Sequence, residues 1–507
     1  MIWRERHFMN RYEKIIIESF EKKQEQTISE LFTNTGIPKR TLNRYIDGLI
    51  LKEEIEAIGE GRSRYYRRVL KAKINQIAVF KSAELVGFLG YEVGRYLFEY
   101  DGKYKGKRLN GLPSDIEQSA TLFPIFENLI PESDRRNAYL EEGKNLAKIL
   151  LELENSHGDF DFVSADKLYD YKRDYSSRPN WVGVKQEILE EQGFVNLLNI
   201  QINIGKEILE EKGKHSSLSG YQNKIDVNID FERGVIEQST EALYLLKPYS
   251  IESAVYDFRD KEQNYLPYLG LNEHLFMSFA KNAYEFDVPW SAVVVGEKDF
   301  HYLVKRYDRY NGYKYEQRDF AQIMNIKSDQ KYFTTSERLF DAISEVVKPK
   351  EERVKFLEFY IFSFVIEHAD LHVKNISIIN IGKDKYRLSP LYDLISNGVY
   401  RGDSDELGLP LGGKRSKISI DDFYELSSRL GISRLQTKKS IKKIVNIFVE
   451  EFPNYIEKCR EIRLYANLKI YKSRYSFSSF ADSLEKFYNR RVNSLRQRGF
   501  LIDRRHL

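Results

Sequence analysis

Only one cysteine, Cys459, occurs in 507 residues, which excludes a disulfide framework and any Cys-rich zinc site. Long apolar runs are missing too. The longest near-continuous one, Phe359 to Ile366, is broken by Ser363 and falls far short of the roughly 20 residues that a membrane span requires. The opening stretch Met1 to Arg6 has no apolar core of the kind a signal peptide needs. These absences point to a soluble, cytoplasmic protein with no membrane partner. Strong net charge is also absent, since 80 Lys and Arg stand against 76 Asp and Glu. The small excess of +4 is local: residues 1–75 hold 16 basic and 11 acidic residues, and the remaining 432 are close to neutral. A basic front on a balanced protein points to a polyanion contact there. At roughly 150 residues per domain, the length suggests two to four domains.

The front reads as three helices and a hairpin. Arg11 to Lys23 carries an apolar stripe with Ile15, Ile16 and Phe20. Thr27-Ile28-Ser29-Glu30 is a capping box that starts a second helix, which must stop near Gly36. Pro38 suits the first position of a third helix, whose Leu42, Ile46, Leu49 and Ile50 share one face. The other face presents Lys39, Arg40, Thr41, Asn43 and Arg44. A strand from Glu53, a turn at Gly59-Glu60-Gly61 and a basic strand with Arg62 and Arg64 complete a winged helix-turn-helix plan. In that plan the third helix enters the major groove of double-stranded DNA and the wing follows phosphates. The alternative use of such a module is protein contact or dimerisation, and winged-helix proteins often bind DNA as homodimers.

The stretch from Leu85 to about Leu140 reads as a small β-rich unit with an aromatic strand Tyr96 to Asp101, a disordered-looking Lys/Gly turn and a helix. Glu141 to about Lys214 reads mainly as helices without chemistry. Further on, His368-Ala369-Asp370-Leu371-His372-Val373-Lys374-Asn375 is answered eighteen residues after Asn375 by Asp393, with a strand pair between them. A carboxylate, an amide five positions on and a second carboxylate after a hairpin are the layout of a phosphotransferase catalytic loop and its metal site. Asp370 would orient an attacking hydroxyl, while Asn375 and Asp393 would supply oxygen ligands to a divalent ion. Upstream, the small-residue turn Ser216 to Lys224 precedes an alternating strand, Ile225 to Ile229, and can lay backbone amides against phosphates. Lys247 closes another strand, and Glu273, on a helix from Asn272 to Ala283, is placed to pair with it. The strand His301 to Lys305 feeds Arg306-Tyr307-Asp308-Arg309. Lys305 to Tyr307 are therefore candidates for an adenine-binding hinge and Asp308 for a ribose contact. The mostly apolar stretch Val354 to His368 would be the buried helix that delivers the catalytic loop.

From Leu85 to roughly Ala481 these motifs, in this order, resemble the HipA toxin kinases. Leu122 to Arg136 is similar to that family's N-terminal signature, with Pro131-Glu132-Ser133 in place of Pro-Glu-Gly, and Ser217 to Lys224 resembles its phosphate loop. Lys247, the Arg306 to Arg309 run, the His368 to Asn375 loop and Asp393 match in turn. The resemblance implies an α+β fold, bilobal and protein-kinase-like, preceded here by the winged helix-turn-helix. Four segments are expected: 1–75 for DNA binding, 80–214 for an N-terminal subdomain and helical connector, 215–310 for the kinase N-lobe with phosphate loop and hinge, and 311–507 for the helical C-lobe.

It further implies ATP-dependent, magnesium-assisted phosphorylation of serine or threonine in a protein, translation-related by family precedent. Asp370 would be catalytic, with His372 and Lys374 supporting it; Asn375 and Asp393 would hold the metal. Ser217, Ser219, Gly220, Gln222, Lys224 and Lys247 would contact the nucleotide, with Lys305, Tyr307 and Asp308 beyond them. Autophosphorylation would fall on Ser217 or Ser219, and an antitoxin partner is implied as well. The departure is the front: a DNA reader on the same polypeptide leaves the need for a separate antitoxin open. The alternative function is a transcriptional regulator whose kinase-like body only senses nucleotide.

Overall fold

The computed structural model describes residues 10–20, 23, 25–52, 54–59, 61, 64–68, 77–92, 94–130, 132, 134–141, 145–153, 156–173, 178–189, 197–198, 200–205, 209, 224–249, 266–296, 299–400, 405–465 and 477–501. Ser217, Ser219, Gly220 and Gln222 of the expected phosphate loop, and Arg62 of the expected wing, lie outside the described residues.

At the front, helices Arg11–Ser19, Ile28–Thr35 and Lys39–Leu51 pack beside a three-stranded antiparallel sheet of Glu25–Gln26, Tyr65–Arg68 and Ile55–Ile58, in that order. Thr27 caps the second helix as its spelling requires. Its hydroxyl accepts from the Glu30 amide, and the Glu30 carboxylate accepts from the Thr27 amide at 2.8 Å. Gly36 stops this helix at φ 69°, a conformation natural to glycine. Pro38 stands one position earlier than the spelling suggests, capping the third helix rather than beginning it. Ile16, Phe20, Leu31, Leu42, Ile46 and Leu49 form the core of this unit.

A second sheet runs in the order Ile116–Ser119, Arg95–Tyr100, Glu84–Glu92, Ile77–Lys81, Phe160–Ser164, all antiparallel. Its core joins Val79, Leu89 and Phe98 to Phe126, on the short helix Pro124–Glu127, and to Leu129 just beyond it. Two expectations need correction here. The Lys/Gly turn at 102–108 is ordered: the Tyr104 amide donates to Asp101, the Tyr104 hydroxyl donates to the Lys107 carbonyl at 2.9 Å, and the Arg108 guanidinium lies 4.1 Å from the Tyr100 ring centre. The stretch after Glu141 is only partly helical, since Phe160–Ser164 closes this sheet. Phe160 and Phe162 stack at its edge, and a five-residue strand of which only Phe160 is fully buried is too short to stand out in a reading by periodicity.

The third sheet has seven strands among the described residues, ordered Gln201–Asn203, Val235–Gln238, Ile225–Asp230, Tyr244–Lys247, Phe300–Lys305, Ser291–Val295, Leu197–Leu198. Strands 197–198 and 201–203 therefore extend this sheet upstream of residue 215. The helix Leu269–Tyr284 packs across it, and so closely that a Cβ at Gly270 would lie 2.8 Å from the Phe300 carbonyl. This helix also enters the largest core, with Lys350–Val365, Ile420–Arg429, Arg434–Tyr465 and Phe477–Gln497. The apolar stripe of Arg434–Tyr465 continues through Tyr455, Ile456 and Ile462. The hairpin Ser377–Asn380 and Tyr386–Leu388 forms as its spelling predicts, with Gln317–Asp319 added on its outer side. None of the described helices is long and apolar enough to cross a membrane.

Candidate active site

A cleft of about 550 Å³ opens between the seven-stranded sheet and the helical body. It is lined by Lys224, Lys247, Glu273, Lys305, Tyr307, Asp308, Asp370, His372, Lys374, Asn375 and Asp393. Every described residue expected in the nucleotide, metal and catalytic sets thus reaches one place.

Strand alternation places Lys247. Leu246 faces the sheet core with no exposure, and its neighbour turns into the cleft. There the Lys247 ammonium stands 2.7 and 2.9 Å from the two Glu273 oxygens and also bonds Asp393. Lys224 approaches the other Asp393 oxygen at 3.7 Å. Burial would raise the Asp393 carboxyl, but Lys224 and Lys247 outweigh that and hold it far below the usual carboxylate range. Burial would likewise lower Lys247, and Asp393 and Glu273 reverse that, so it stays charged. Burial pushes Glu273 up to about 7 despite Lys247, and the negative charge of Asp393 adds to the rise. Asp393 sits at φ 56°, in the left-handed region. A non-glycine residue held there signals a conformation imposed by its surroundings, a feature that clusters at functional sites.

The loop from His368 to Asn375 leaves the helix Lys350–Val365 through a left-handed Glu367, φ 53°. Arg490 grips the Glu367 carboxylate at 2.8 and 2.6 Å. His368 is wholly buried, and burial lowers it to about 4, so it is a neutral core residue. Asp370 is half-buried and raised above its usual range by burial; the Tyr332 hydroxyl, which donates to it, pulls the other way. The His372 ring lies edge-on to Tyr332, centroids 4.9 Å apart, and burial keeps it neutral. Lys374 donates to Ser328 Oγ at 2.7 Å and to Glu132 at 3.2 Å. The Asn375 side-chain oxygen accepts from the His372 amide at 3.0 Å, and its nitrogen donates to Asp393 at 3.3 Å. One carboxylate and one amide side by side suit a hard divalent cation that keeps other oxygen ligands; the Asn375 amide has to present its oxygen to take part. Among the described residues, no group of three or more His, Cys, Asp or Glu is gathered for a metal.

The hinge segment is more committed than its spelling suggests. The amides of Lys305 and Arg306 donate to the Trp290 and Leu243 carbonyls at 2.8 and 2.7 Å. The Lys305 ammonium turns outward to the Glu187 carbonyl, 3.1 Å away. Tyr307 is buried against Tyr392, ring centres 6.0 Å apart. Asp308 lines the cleft, yet its carboxylate is occupied: Arg306 donates to both oxygens at 3.0 and 2.9 Å, and Arg309 and the Gly158 amide reach one of them. It anchors a buried ion-pair cluster that Asp226 joins through Arg306 at 2.9 Å, rather than offering an open acceptor for ribose.

Tyr332, Lys331, Ser328, Glu132 and His157 bear on the site without having been singled out for it. Only Glu132 carried a sequence signal, as part of the stretch that precedes Arg136. On the front unit, Lys39, Arg40, Asn43 and Arg44 are exposed, and Thr41 is half-buried. Lys39 reaches Ser29 Oγ at 2.9 Å, Arg44 lies over the Tyr45 ring, and Arg64 lies over that of Tyr66.

Comparison with known proteins places this geometry. Residues 216–454 match the model of the HipA-like C-terminal domain. Over 283 residues the chain is 25% identical to "Putative kinase Y4mE" of Sinorhizobium fredii, covering 53% of this chain and 63% of that protein. Over 275 residues it is 26% identical to a Haemophilus influenzae protein named "Putative kinase", covering 48% and 74%. The match to Y4mE thus spans less than two thirds of that relative. Among solved structures, a chain of the Shewanella oneidensis MR-1 HipA, HipB and operator DNA complex superposes with a TM-score of 0.54. That alignment covers 83% of this chain and 97% of the other at 14% identity, a likeness of fold.

Proposed function

We propose that the cleft binds ATP with magnesium and transfers the terminal phosphoryl group to a serine or threonine hydroxyl of a protein. The observation that carries this reading is the convergence of Asp370, Asn375, Asp393, Lys224 and Lys247 on one cleft, in a body that matches the HipA-like C-terminal domain. Lys224 and Lys247 offer two positive charges to phosphate oxygens, and Glu273 keeps Lys247 aimed. Asp393 with Asn375 would hold the metal, which when bound neutralises charge on the transferring group. Asp370 accepts the hydrogen bond of the incoming hydroxyl and takes its proton, a role for which a carboxylate raised by burial is suited. His372 and Lys374 keep the loop in place.

Autophosphorylation of Ser217 or Ser219 would add close to two negative charges to the expected phosphate loop and repel the nucleotide. The front unit is read as a winged helix-turn-helix for double-stranded DNA, supported by an apolar face of Leu42, Ile46 and Leu49 opposite an exposed face of Lys39, Arg40, Asn43 and Arg44. A second copy of the chain is a partner that winged-helix modules often take on DNA; the resemblance to HipA implies a translation-related protein as substrate of the cleft and an antitoxin, whose need a DNA reader on the same chain leaves open.

Incubation with γ-labelled ATP and magnesium tests the reaction. Wild-type protein should acquire label and Asp370→Ala should not, with mass spectrometry first excluding phosphate already on Ser217 or Ser219. Nucleotide binding without transfer in wild-type protein would instead leave a regulator that senses nucleotide. A gel shift on the upstream promoter, lost in Arg40→Ala with Arg44→Ala, tests the front unit.

A further inference from the structure

Glu132 belongs to the five-stranded unit, 242 residues from Lys374 in sequence, yet its carboxylate lines the cleft. One oxygen accepts from Lys374 at 3.2 Å and from the Ser328 hydroxyl at 2.6 Å; the other accepts from Lys331 at 2.6 Å. Ser328 also accepts from Lys374, which closes a three-membered network around that ammonium. Lys331 in turn precedes Tyr332, whose hydroxyl rests on Asp370. A single carboxylate therefore reaches one end of the catalytic loop directly and the other through the segment 328–332.

The placement is enforced by bonds between the same two parts of the chain. The Asn128 side chain donates to the Ile326 carbonyl at 2.8 Å, and Glu127 accepts from the Ser328 amide at 3.0 Å. Gln322 donates to the Ile125 carbonyl at 2.8 Å, and Asn110 donates to the Gln322 and Ile323 carbonyls at 2.7 Å. Lys374 is only 6% exposed. An ammonium so enclosed is held by its counter-charge and moves when that charge is removed.

Resting on the phosphotransfer reading, we propose that Glu132 is a positioning residue: the five-stranded unit completes the catalytic centre by holding Lys374 and Lys331 beside the cleft. The unit is then part of the machinery, and a ligand that drew it away from the segment 322–328 would lower the rate without touching the nucleotide.

The test is a double-mutant cycle on the full-length protein, with labelled-phosphate incorporation and ADP release as readouts. Glu132→Gln should lower kcat by roughly 10- to 100-fold, the scale of an ångström-sized misplacement, with the nucleotide Kd changed less than about 3-fold. Glu132→Asp, which keeps the charge on a shorter stem, should recover part of the loss. Because Glu132 acts in part through Lys374, the pair Glu132→Gln with Lys374→Met should lose less than the product of the two single losses. Unchanged kcat in Glu132→Gln overturns the proposal, as does multiplication of the two losses. Should Glu132→Gln fail to fold, Glu132→Asp carries the test, and wild-type kcat in it is contrary to the proposal. An active wild type with an unaffected Glu132→Gln removes only the positioning role. A wild type that transfers no phosphate removes the phosphotransfer reading and this role with it.

Discussion

In the cleft, Lys224, Lys247, Asp308 and Lys374 are buried and held in ion pairs, whereas on the helix Lys39–Leu51 the side chains of Lys39, Arg40 and Arg44 are exposed. The two regions use charge differently. Phosphoryl transfer rewards groups fixed before the substrate arrives, because a preorganised charge needs no rearrangement at the moment of reaction. Contact with a polyanion rewards long side chains near solvent, where counterion release supplies much of the affinity. Both regions rest on the same kind of apolar packing, so the contrast lies in what surrounds the charges.

The contrast breaks most visibly at Arg306. Arg306→Met leaves Asp308 and Asp226 without their main counter-charge, and breaking a buried pair costs on the order of 3–5 kcal/mol. Denaturant titration of the body should show that loss; a cost below about 1 kcal/mol would place the cluster with ordinary surface pairs. A sharper probe is Tyr332→Phe. Transfer requires ionised Asp370, whose carboxyl is already raised by burial, so activity should fall as pH drops through a value above the ordinary aspartate range. The Tyr332 hydroxyl favours the ionised form, so its removal should move that acid limb upward, as loss of a hydrogen bond to the charged form does. A pH–rate profile reads the shift.

At the front the effects are smaller. Thr27→Ala removes one half of a capping box and should cost about 1 kcal/mol in thermal unfolding of that unit. Arg40→Ala with Arg44→Ala should change stability by no more than about 0.5 kcal/mol, while reducing the salt dependence of DNA binding by roughly one ion per lost phosphate contact.

How legible each part was in the sequence follows the range of its interactions. The convergence of the His368 to Asn375 loop, its hairpin and Asp393 on one cleft was readable because these residues stand at short, fixed spacings. Lys247 with Glu273 was readable because a strand end and a helix each place a side chain by their own period. The capping box at Thr27 and the stop at Gly36 are local for the same reason. The partners of the loop were not readable. Tyr332 reaches Asp370 across 38 positions and Glu132 reaches Lys374 across 242, and no periodicity records such pairings. Asp308 was misjudged in role rather than place, since a carboxylate next to two arginines in sequence gives no sign of which way they turn. Phe160–Ser164 was missed because a short edge strand among polar residues has too few alternations to stand out.

The central claim is that the lysines and acids of the cleft form a site for ATP and its metal. Calorimetric titration of ATP into the protein, with and without magnesium, on wild type and on Lys247→Met, addresses it most directly. The account predicts magnesium-dependent binding to wild type, weakened by roughly 10-fold or more in Lys247→Met, the scale of a lost charge-assisted contact. Absence of binding to wild type, or equal affinity in Lys247→Met, would contradict it.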